Sequence, residues 1–294
     1  MGVLALVSNS DRSPSACRGV ACIAWRYQPP VDGQAAPVAA SSRQKNTRNS
    51  SNPIRPNAAS DSGRTSKKIT FYAPTVTLYG LPRSVYTRIV RLTLDEKAVP
   101  CQIEEVDIFG PGGVPAAHTK RHPFGRIPVL AHGELSIYET AAICRYVDEA
   151  FPGPSLQPPT PSERARMAQV IGLLDSYCYR PMVWGVFVQR VRIPMTGGST
   201  DESLVAKSLK ESRIALEALA AVVADSPFFA GTTLSLADLH AYPILRYFSL
   251  APEGQAAIDE HRALTKWLAK LGTRASVQRT VTQYEQHAFG SRAA

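Results

Sequence analysis

The chain has 294 residues, of which 44% are hydrophobic, and it contains no run of about 18 apolar residues that could span a membrane. Its formal net charge of +9 is uneven, because residues 1–68 carry ten Lys/Arg against three Asp and the remainder is close to neutral. The remainder therefore lacks the basic, aromatic-rich stripe typical of nucleic-acid binding, and we expect neither a nucleic-acid partner nor a membrane partner.

The length predicts two compact domains, and the composition adds an N-terminal tail before them. Residues 1–70 are rich in Ser, Pro and basic side chains, which predicts a disordered basic tail. We expect a cytoplasmic protein, but the Arg- and Ser-rich start also resembles an organelle transit peptide, so organelle targeting is the alternative. Five cysteines without tight CxxC spacing argue against a disulfide framework and against a metal site.

The first domain, at 73–152, alternates strand and helix. A strand at 75–79 is followed by a Gly-Leu-Pro turn and a helix from 84 to about 97, on which Arg88 lies opposite the apolar side. A strand at 101–108 and an irregular turn at 116–121 follow, and the domain closes with a hairpin at 127–131 and 134–137 and a helix at 139–151. This order predicts an α/β thioredoxin-like fold.

The second domain, at 160–290, follows a proline-rich stretch at 152–161. Every periodic segment in it has helical spacing, and the predicted helices cover residues 162–190, 201–224, 234–250, 256–271 and 276–287. The sequence therefore predicts an all-α helical-bundle domain at the C-terminal end. The aromatic residues of its first helix are expected in the core and on a cleft wall, namely Tyr177, Tyr179, Trp184 and Phe187.

Two short segments indicate a binding site. Residues 126–130 form an apolar strand with Pro128 near its start, where a proline is tolerated and a cis peptide is accessible. Residues 139–143 open a helix with Glu139 and Thr140, at the end that carries free N–H groups and partial positive charge. A peptide-binding edge beside an anion-binding helix start suits a short acidic peptide, and glutathione is the leading candidate.

Four motifs in this order resemble the glutathione transferase family over roughly residues 73–288, and the resemblance is close to its phi-like and theta-like bacterial members with a catalytic serine. They are LYGLPRSVYTR (78–88), HPFGRIP (122–128), ETAAI (139–143) and SLAD (235–238). The resemblance implies glutathione as co-substrate, no metal, a small electrophile as second substrate and a symmetric homodimer. The last motif predicts a structural capping box between Ser235 and Asp238.

The resemblance assigns the catalytic role to Ser84, whose hydroxyl would donate a hydrogen bond to the glutathione sulfur and favour the thiolate. The structural alternative is that Ser84 only caps the helix by accepting a hydrogen bond from a backbone N–H. Tyr79 is the rival candidate, because other classes of the family use a tyrosine near the end of this strand. As an aromatic residue in a strand, Tyr79 is otherwise expected to pack in the core.

The resemblance also assigns the binding residues. Glu139 and Thr140 would hold the γ-glutamyl end of glutathione, and Ile127, just before Pro128, would pair its backbone with the cysteinyl residue. The glycine carboxylate needs a cation or donor from the preceding loop, and four candidates stay open, namely His118, Lys120, Arg121 and Arg126.

Two classes of function fit this sequence. The first is an enzyme that transfers the glutathione thiolate to small electrophiles, or that uses the same thiolate as a peroxidase, dehalogenase or isomerase. The second is a non-catalytic module that binds ligands or partners on the same scaffold, since fold does not fix function. Retention of Ser84 together with Glu139 and Thr140 favours the enzyme.

Overall fold

The structure is a computed structural model that describes residues 75–290, with side chains described as far as His287. The predicted tail at 1–70 and the first residues of the predicted domain at 73–152 lie outside this range. Within it, every helix is too short or too polar to cross a membrane.

The first part of the described chain is a four-stranded mixed sheet with helices. Its strands are β1 (Val76–Tyr79), β2 (Cys101–Glu104), β3 (Val129–His132) and β4 (Leu135–Tyr138), and its helices are α1 (Val85–Glu96), α2 (Ala116–Thr119) and α3 (Thr140–Ala150). The strand order is β2-β1-β3-β4, with β1 parallel to β2 and the other two pairs antiparallel. This is the predicted thioredoxin-like arrangement.

The second part is entirely helical apart from an isolated bridge between Phe228 and Gly231. Its elements are α4 (Pro161–Leu173), a π-helical segment (Leu174–Arg192), α5 (Ile193–Met195), α6 (Glu202–Val223), α7 (Leu236–Phe248), α8 (Pro252–Asp259), α9 (Arg262–Gly272), α10 (Ala275–Arg279) and α11 (Gln283–Gly290). The first three run on without a break. Pro181 lies inside the π-helical segment, where it cannot donate the backbone hydrogen bond of a regular α-helix.

One continuous core joins the two parts. Helices α1 and α3 pack against each other, and α7 packs against both of them and against the π-helical segment. Leu78 of β1, Ile89 of α1 and Phe248 of α7 are fully buried in the same cluster. Because both parts share this core, the end of β1 is held in a fixed position relative to the helices.

Strand β2 is shorter than the predicted strand at 101–108. The last residue of β1, Tyr79, pairs with Glu104, and the next amide, of Gly80, donates to the Glu104 carbonyl oxygen at 3.0 Å. Beyond that point β1 turns away, so the chain after Glu104 has no partner strand. Asp107 then accepts from the Phe109 amide at 2.9 Å and bends the chain into a loop.

Two predicted helices are each divided in two. The helix predicted at 256–271 is α8 and α9, separated by an extended residue, His261, and α8 begins earlier, with Pro252 at its first helical position. The helix predicted at 276–287 is α10 and α11, between which Thr282 donates its amide and hydroxyl to Glu285 at 2.9 and 3.0 Å. An extended residue in the first case and a side-chain cap in the second therefore interrupt helices whose apolar periodicity continues across the break.

The opposite side of α1 does not face solvent at Arg88. Its side chain is fully buried, because α7 and α10 pack on α1 and Glu285 of α11 contacts the guanidinium. Arg88 Nη1 lies 2.7 Å from Glu285, which also accepts from Arg246 at 3.1 Å. The periodicity of one helix identified its apolar side correctly, but it could not reveal that a second layer covers the other side.

The predicted capping box between Ser235 and Asp238 is confirmed. The Asp238 carboxylate accepts from the Ser235 amide at 2.9 Å and also from the Phe229 amide and the Trp267 indole at 2.9 and 2.8 Å. Burial raises the pKa of Asp238, although these donors oppose the change. The box therefore holds three segments of the helical part together, besides starting α7.

Candidate functional site

Ser84 lies at the start of α1, where the chain turns out of the sheet. It is the N-cap residue of the helix, and its backbone N–H donates to the Leu81 carbonyl oxygen at 2.9 Å. Its hydroxyl makes no capping hydrogen bond to any residue that the structure describes. Gly80 allows the turn to approach α1, since a Cβ there would lie 2.5 Å from Thr87 Oγ1. The half-buried Ser84 hydroxyl is therefore not used as a helix cap.

Tyr79, the rival candidate, packs on the other face of the sheet. Val76 and Leu78 point into the main core, so the alternation of a strand directs Tyr79 to the opposite face. There it joins a small cluster of buried residues, and the Arg121 guanidinium lies 4.1 Å from its ring centroid. Tyr79 is therefore half-buried against this small cluster and lies outside the main core.

The register of the sheet brings the predicted binding segments to one end. Tyr79 pairs with Val129, and Val129 pairs with Tyr138, so these three residues lie in one row across the sheet. Ile127 therefore lies just before this row and Glu139 just after it. The Ile127–Pro128 peptide is cis, and both residues are buried. The turn that leads to Ser84 leaves the sheet from the same row.

Glu139 and Thr140 connect β4 to α3 through an unusual backbone geometry. Glu139 has φ +70° and ψ 112°, a conformation that non-glycine residues adopt rarely and at an energetic cost. Its side chain is exposed and makes no capping bond within the described part of the chain, whereas Thr140 is buried as the first residue of α3. The first amides of α3 have no partner within the helix, so this end suits an anion.

The loop before β3 holds the four candidates for the glycine carboxylate. His118 is buried, with Nε2 2.7 Å from the Arg126 carbonyl oxygen, so it holds the loop that leads to Ile127. The Arg121 guanidinium packs on the ring of Tyr79 and donates a hydrogen bond to the Ala117 carbonyl oxygen at 3.2 Å. Lys120 and Arg126 have exposed side chains. All four candidates therefore lie in one loop, and Lys120 and Arg126 are the two with exposed side chains.

Family models match the chain in both parts. The N-terminal domain of glutathione S-transferases matches residues 78–155, and the C-terminal domain of glutathione S-transferases matches residues 170–274. The chain belongs to the glutathione S-transferase family. The resemblance stated from its motifs is thereby confirmed, as is the fold that it implied.

Individual relatives agree with this membership. Arabidopsis thaliana glutathione S-transferase F10 is 29% identical over 196 residues, which cover 66% of this chain and 90% of that protein. Glutathione transferase F2 of Populus trichocarpa superposes with a TM-score of 0.65 at 25% identity, covering 72% of this chain and 99% of that one. Maize glutathione S-transferase I, solved with an atrazine–glutathione conjugate, has a TM-score of 0.62 at 28% identity, covering 71% and 96%.

In this glutathione S-transferase family member, Ser84 opens onto a small aromatic cleft of about 60 Å³ between α1 and the helical part. Six aromatic side chains line it, namely Phe109, Tyr179, Trp184, Phe187, Tyr247 and Tyr284. Three of the aromatic residues predicted for the core and cleft wall are among them. Tyr177 is instead 64% exposed and outside the cleft.

A polar network lies behind the cleft wall. The Tyr86 ring packs against Tyr179, with centroids 4.5 Å apart and the ring planes tilted by 47°. The Tyr86 hydroxyl donates to Asp175 at 3.0 Å, and the same carboxylate oxygen lies 2.8 Å from His240 Nε2. Burial and the Asp175 charge raise the pKa of Tyr86, so its hydroxyl stays protonated as a donor. The network fixes the position of Tyr179 in the cleft.

Several cleft residues are not predicted from the sequence, including Phe109, Arg192, Tyr247 and Tyr284. The sequence offered an indication for Phe109, because a large apolar residue in a Gly- and Pro-rich loop is expected to pack against another side chain. Its ring centroid lies 6.1 Å from that of Trp184. The others lie on helices far apart in sequence. Only the packing of those helices brings them to Ser84.

A larger cavity of about 360 Å³ lies elsewhere in the helical part. Tyr242, Arg246 and Glu285 are among its lining residues, and none of the lining comes from the sheet or from α1. Its lining includes neither Ser84 nor any residue of the predicted binding segments. The smaller cleft is therefore the candidate active site.

Proposed function

We propose that this chain transfers the thiolate of glutathione to small electrophiles, as a glutathione S-transferase. The observation that carries the proposal is the Ser84 hydroxyl, which is not used as a cap and opens onto an aromatic cleft, in a member of this family. Relatives named glutathione S-transferase, one of them solved with a glutathione conjugate, support the same activity.

Glutathione would bind along the end of the sheet where the predicted segments meet. The Glu139 carboxylate suits the ligand ammonium, and the Thr140 hydroxyl with the first α3 amides suits its α-carboxylate. The Ile127 backbone, oriented by Pro128, would pair with the cysteinyl residue. The glycine carboxylate would meet the exposed cations Lys120 and Arg126.

The chemistry would use the protein to adjust a pKa and to orient two reactants. Ser84 donates a hydrogen bond to the sulfur, which favours the thiolate, and the thiol proton passes to water. With an aryl halide, the thiolate attacks the ring carbon, a carbon–sulfur bond forms and halide leaves with the bonding electrons. The cleft holds the ring close to the sulfur, which removes much of the entropic cost of the bimolecular step.

We also propose a cytoplasmic homodimer that detoxifies electrophiles, with organelle targeting by the tail as the alternative location. Large apolar side chains exposed in the single chain include Phe124 and Tyr177, at 61% and 64%, and a second copy would bury such surface. Sedimentation of the purified chain tests the dimer. Imaging of the full chain fused to a fluorescent protein tests the location.

Turnover with reduced glutathione tests the activity itself. We expect product formation from a chlorodinitrobenzene above the uncatalysed rate, and calorimetry should detect glutathione binding. Peroxides, haloacids and isomerisable double bonds should be assayed in parallel, because they begin from the same thiolate. Glutathione binding without turnover of any class would instead identify a binding module.

A further inference from the structure

Arg192 places a cation in the aromatic cleft that no acidic side chain among residues 75–287 neutralises. It ends the π-helical segment, is half-buried, and its guanidinium carbon lies 5.2 Å from the centroid of the Phe109 ring. Within residues 75–287 it forms no salt bridge, and the lining of the cleft includes no Asp or Glu. Packing on an aromatic ring is a frequent arrangement for arginine, and it leaves the edge of the guanidinium fork available.

The neighbouring arginines each have an acidic partner among the described residues, in contrast to Arg192. Arg190, two residues earlier, is held by Glu202 and Glu253 at 2.6 and 2.8 Å. Arg83, the other arginine of the cleft, lies 3.8 Å from Asp107. The unbalanced charge of the cleft therefore belongs to Arg192.

The cleft lining also supplies tyrosines, of which Tyr179 and Tyr247 stay neutral at pH 7. Burial raises the pKa of Tyr179, and burial likewise raises the pKa of Tyr247. Neither hydroxyl can therefore act as a counter-ion to the guanidinium. A partly desolvated cation without a counter-ion is unfavourable by itself and gains from an anionic ligand.

Resting on the proposed function, we infer that the cleft selects aromatic electrophiles that carry an anionic substituent such as a carboxylate or sulfonate. The ring of the substrate packs among Phe109, Trp184 and Tyr179, with its reactive carbon towards Ser84. The anionic group meets the guanidinium of Arg192 at the other end. Arg192 is then the specificity-determining residue of the site.

A matched substrate pair tests this inference. A chlorodinitrobenzoate and the corresponding chlorodinitrobenzamide have the same shape and differ in charge, and each enzymatic rate is divided by its uncatalysed rate with glutathione. We compare kcat/KM for the wild type, Arg192→Gln, Arg192→Lys and the control Arg180→Gln. Arg180 is exposed, lies on the same π-helical segment and is absent from the cleft lining.

We expect the wild type to prefer the benzoate and Arg192→Gln to lower its kcat/KM about tenfold, as for the loss of one charged hydrogen bond. The benzamide should change less than about twofold on the same reasoning. Arg192→Lys should restore part of the preference, and Arg180→Gln should leave both rates unchanged. Equal losses for both substrates in Arg192→Gln, or a wild type without preference, would overturn the inference.

Binding of the two conjugated products separates this inference from the proposed function. Calorimetry with the benzoate and benzamide thioethers of glutathione measures the charge preference without turnover. A preference for the benzoate conjugate that Arg192→Gln abolishes supports the inference even if the wild type turns over neither substrate, in which case only the proposed activity fails. Turnover of both substrates without such a preference leaves the activity standing and overturns the inference.

Discussion

The Tyr247 hydroxyl donates a 2.7 Å hydrogen bond to the carbonyl oxygen of Arg83, the residue immediately before Ser84. Tyr247 is almost completely buried in α7, and its ring packs against Phe187 with centroids 4.5 Å apart. A rigid element of the helical part therefore holds the turn that carries Ser84. This bond makes the position of the candidate catalytic hydroxyl depend on the packing of the two parts.

Tyr247→Phe removes this bond and keeps the ring. We expect a loss of about 1 kcal/mol in the free energy of unfolding, typical of one hydrogen bond, measured by urea denaturation. Because the turn is less constrained, kcat should fall while glutathione affinity is retained. Tyr242→Phe, at another buried tyrosine of the same helix, is the control and should leave kcat unchanged. Equal kcat in Tyr247→Phe and the wild type would show that the bond does not position Ser84.

Ser84→Ala should raise the pKa of the bound glutathione thiol and leave its affinity nearly unchanged. The thiol pKa rises because the proposed donor to the sulfur is lost. The hydroxyl makes no cap within the described residues, so its loss costs little stability. One pKa unit corresponds to about 1.4 kcal/mol, and ultraviolet titration of the bound thiolate measures the shift. Tyr79→Phe is the matched comparison. If Tyr79→Phe moved the thiol pKa and Ser84→Ala did not, the roles would be reversed.

Glu139→Gly should separate binding from stability. Glycine adopts positive φ without strain, so the free energy of unfolding should be unchanged or raised by up to about 1 kcal/mol. Loss of the carboxylate should weaken glutathione binding about ten- to a hundredfold, equivalent to about 1.5–3 kcal/mol. Calorimetry measures the affinity, and sedimentation detects any loosening of the proposed dimer.

Glu134→Gly, at an exposed residue of the β3–β4 turn, is the control for Glu139→Gly. Wild-type affinity in a dimeric Glu139→Gly would place the γ-glutamyl end elsewhere.

The buried cluster of Arg88, Arg246 and Glu285 predicts unequal effects of removing its members. Glu285→Gln leaves two buried or half-buried cations without their shared carboxylate, and we expect a loss of about 3–5 kcal/mol in the free energy of unfolding. Arg88→Met leaves the neutral pair of Arg246 and Glu285, so it should cost less. Urea denaturation measures both variants. A larger loss for Arg88→Met would contradict this charge accounting.

Glu96 predicts how stability changes in acid. Burial by itself raises its pKa, but hydrogen bonds from Arg274 and Ser276 outweigh burial and hold the pKa below the usual 4.5. A lowered pKa in the folded state means that the contribution of Glu96 is complete above pH 4.5 and is lost as the pH falls through the folded value.

Glu96→Gln should therefore lower the free energy of unfolding at pH 7 by about 1 kcal/mol, a value discounted for solvent exposure of the pair. Its stability should then fall less steeply than that of the wild type below pH 4.5. The control is Glu149→Gln, which removes an exposed ion pair with Arg145 and should change the profile much less. Parallel acid profiles for Glu96→Gln and the wild type would contradict this role.

The amino-acid sequence was sufficient for the features that local chemistry specifies. The thioredoxin-like order of elements, the capping box at Ser235 and the start of α3 at Thr140 follow from alternation, helical periodicity and capping residues, each acting within a few positions. The motifs around Ser84 and Glu139 were enough to indicate the family. The roles assigned to those residues are predictions that the experiments above test.

Tertiary structure decided what depends on distant segments meeting. The burial of Arg88 and the meeting of Arg192 and Tyr247 with Ser84 arise because α7, α11 and the π-helical segment all supply side chains that contact α1 or the turn before it. Periodicity reports the apolar side of one helix, whereas these features depend on what covers its other sides. Packing energy is summed over contacts between segments a hundred or more residues apart, so no local pattern in the sequence encodes it.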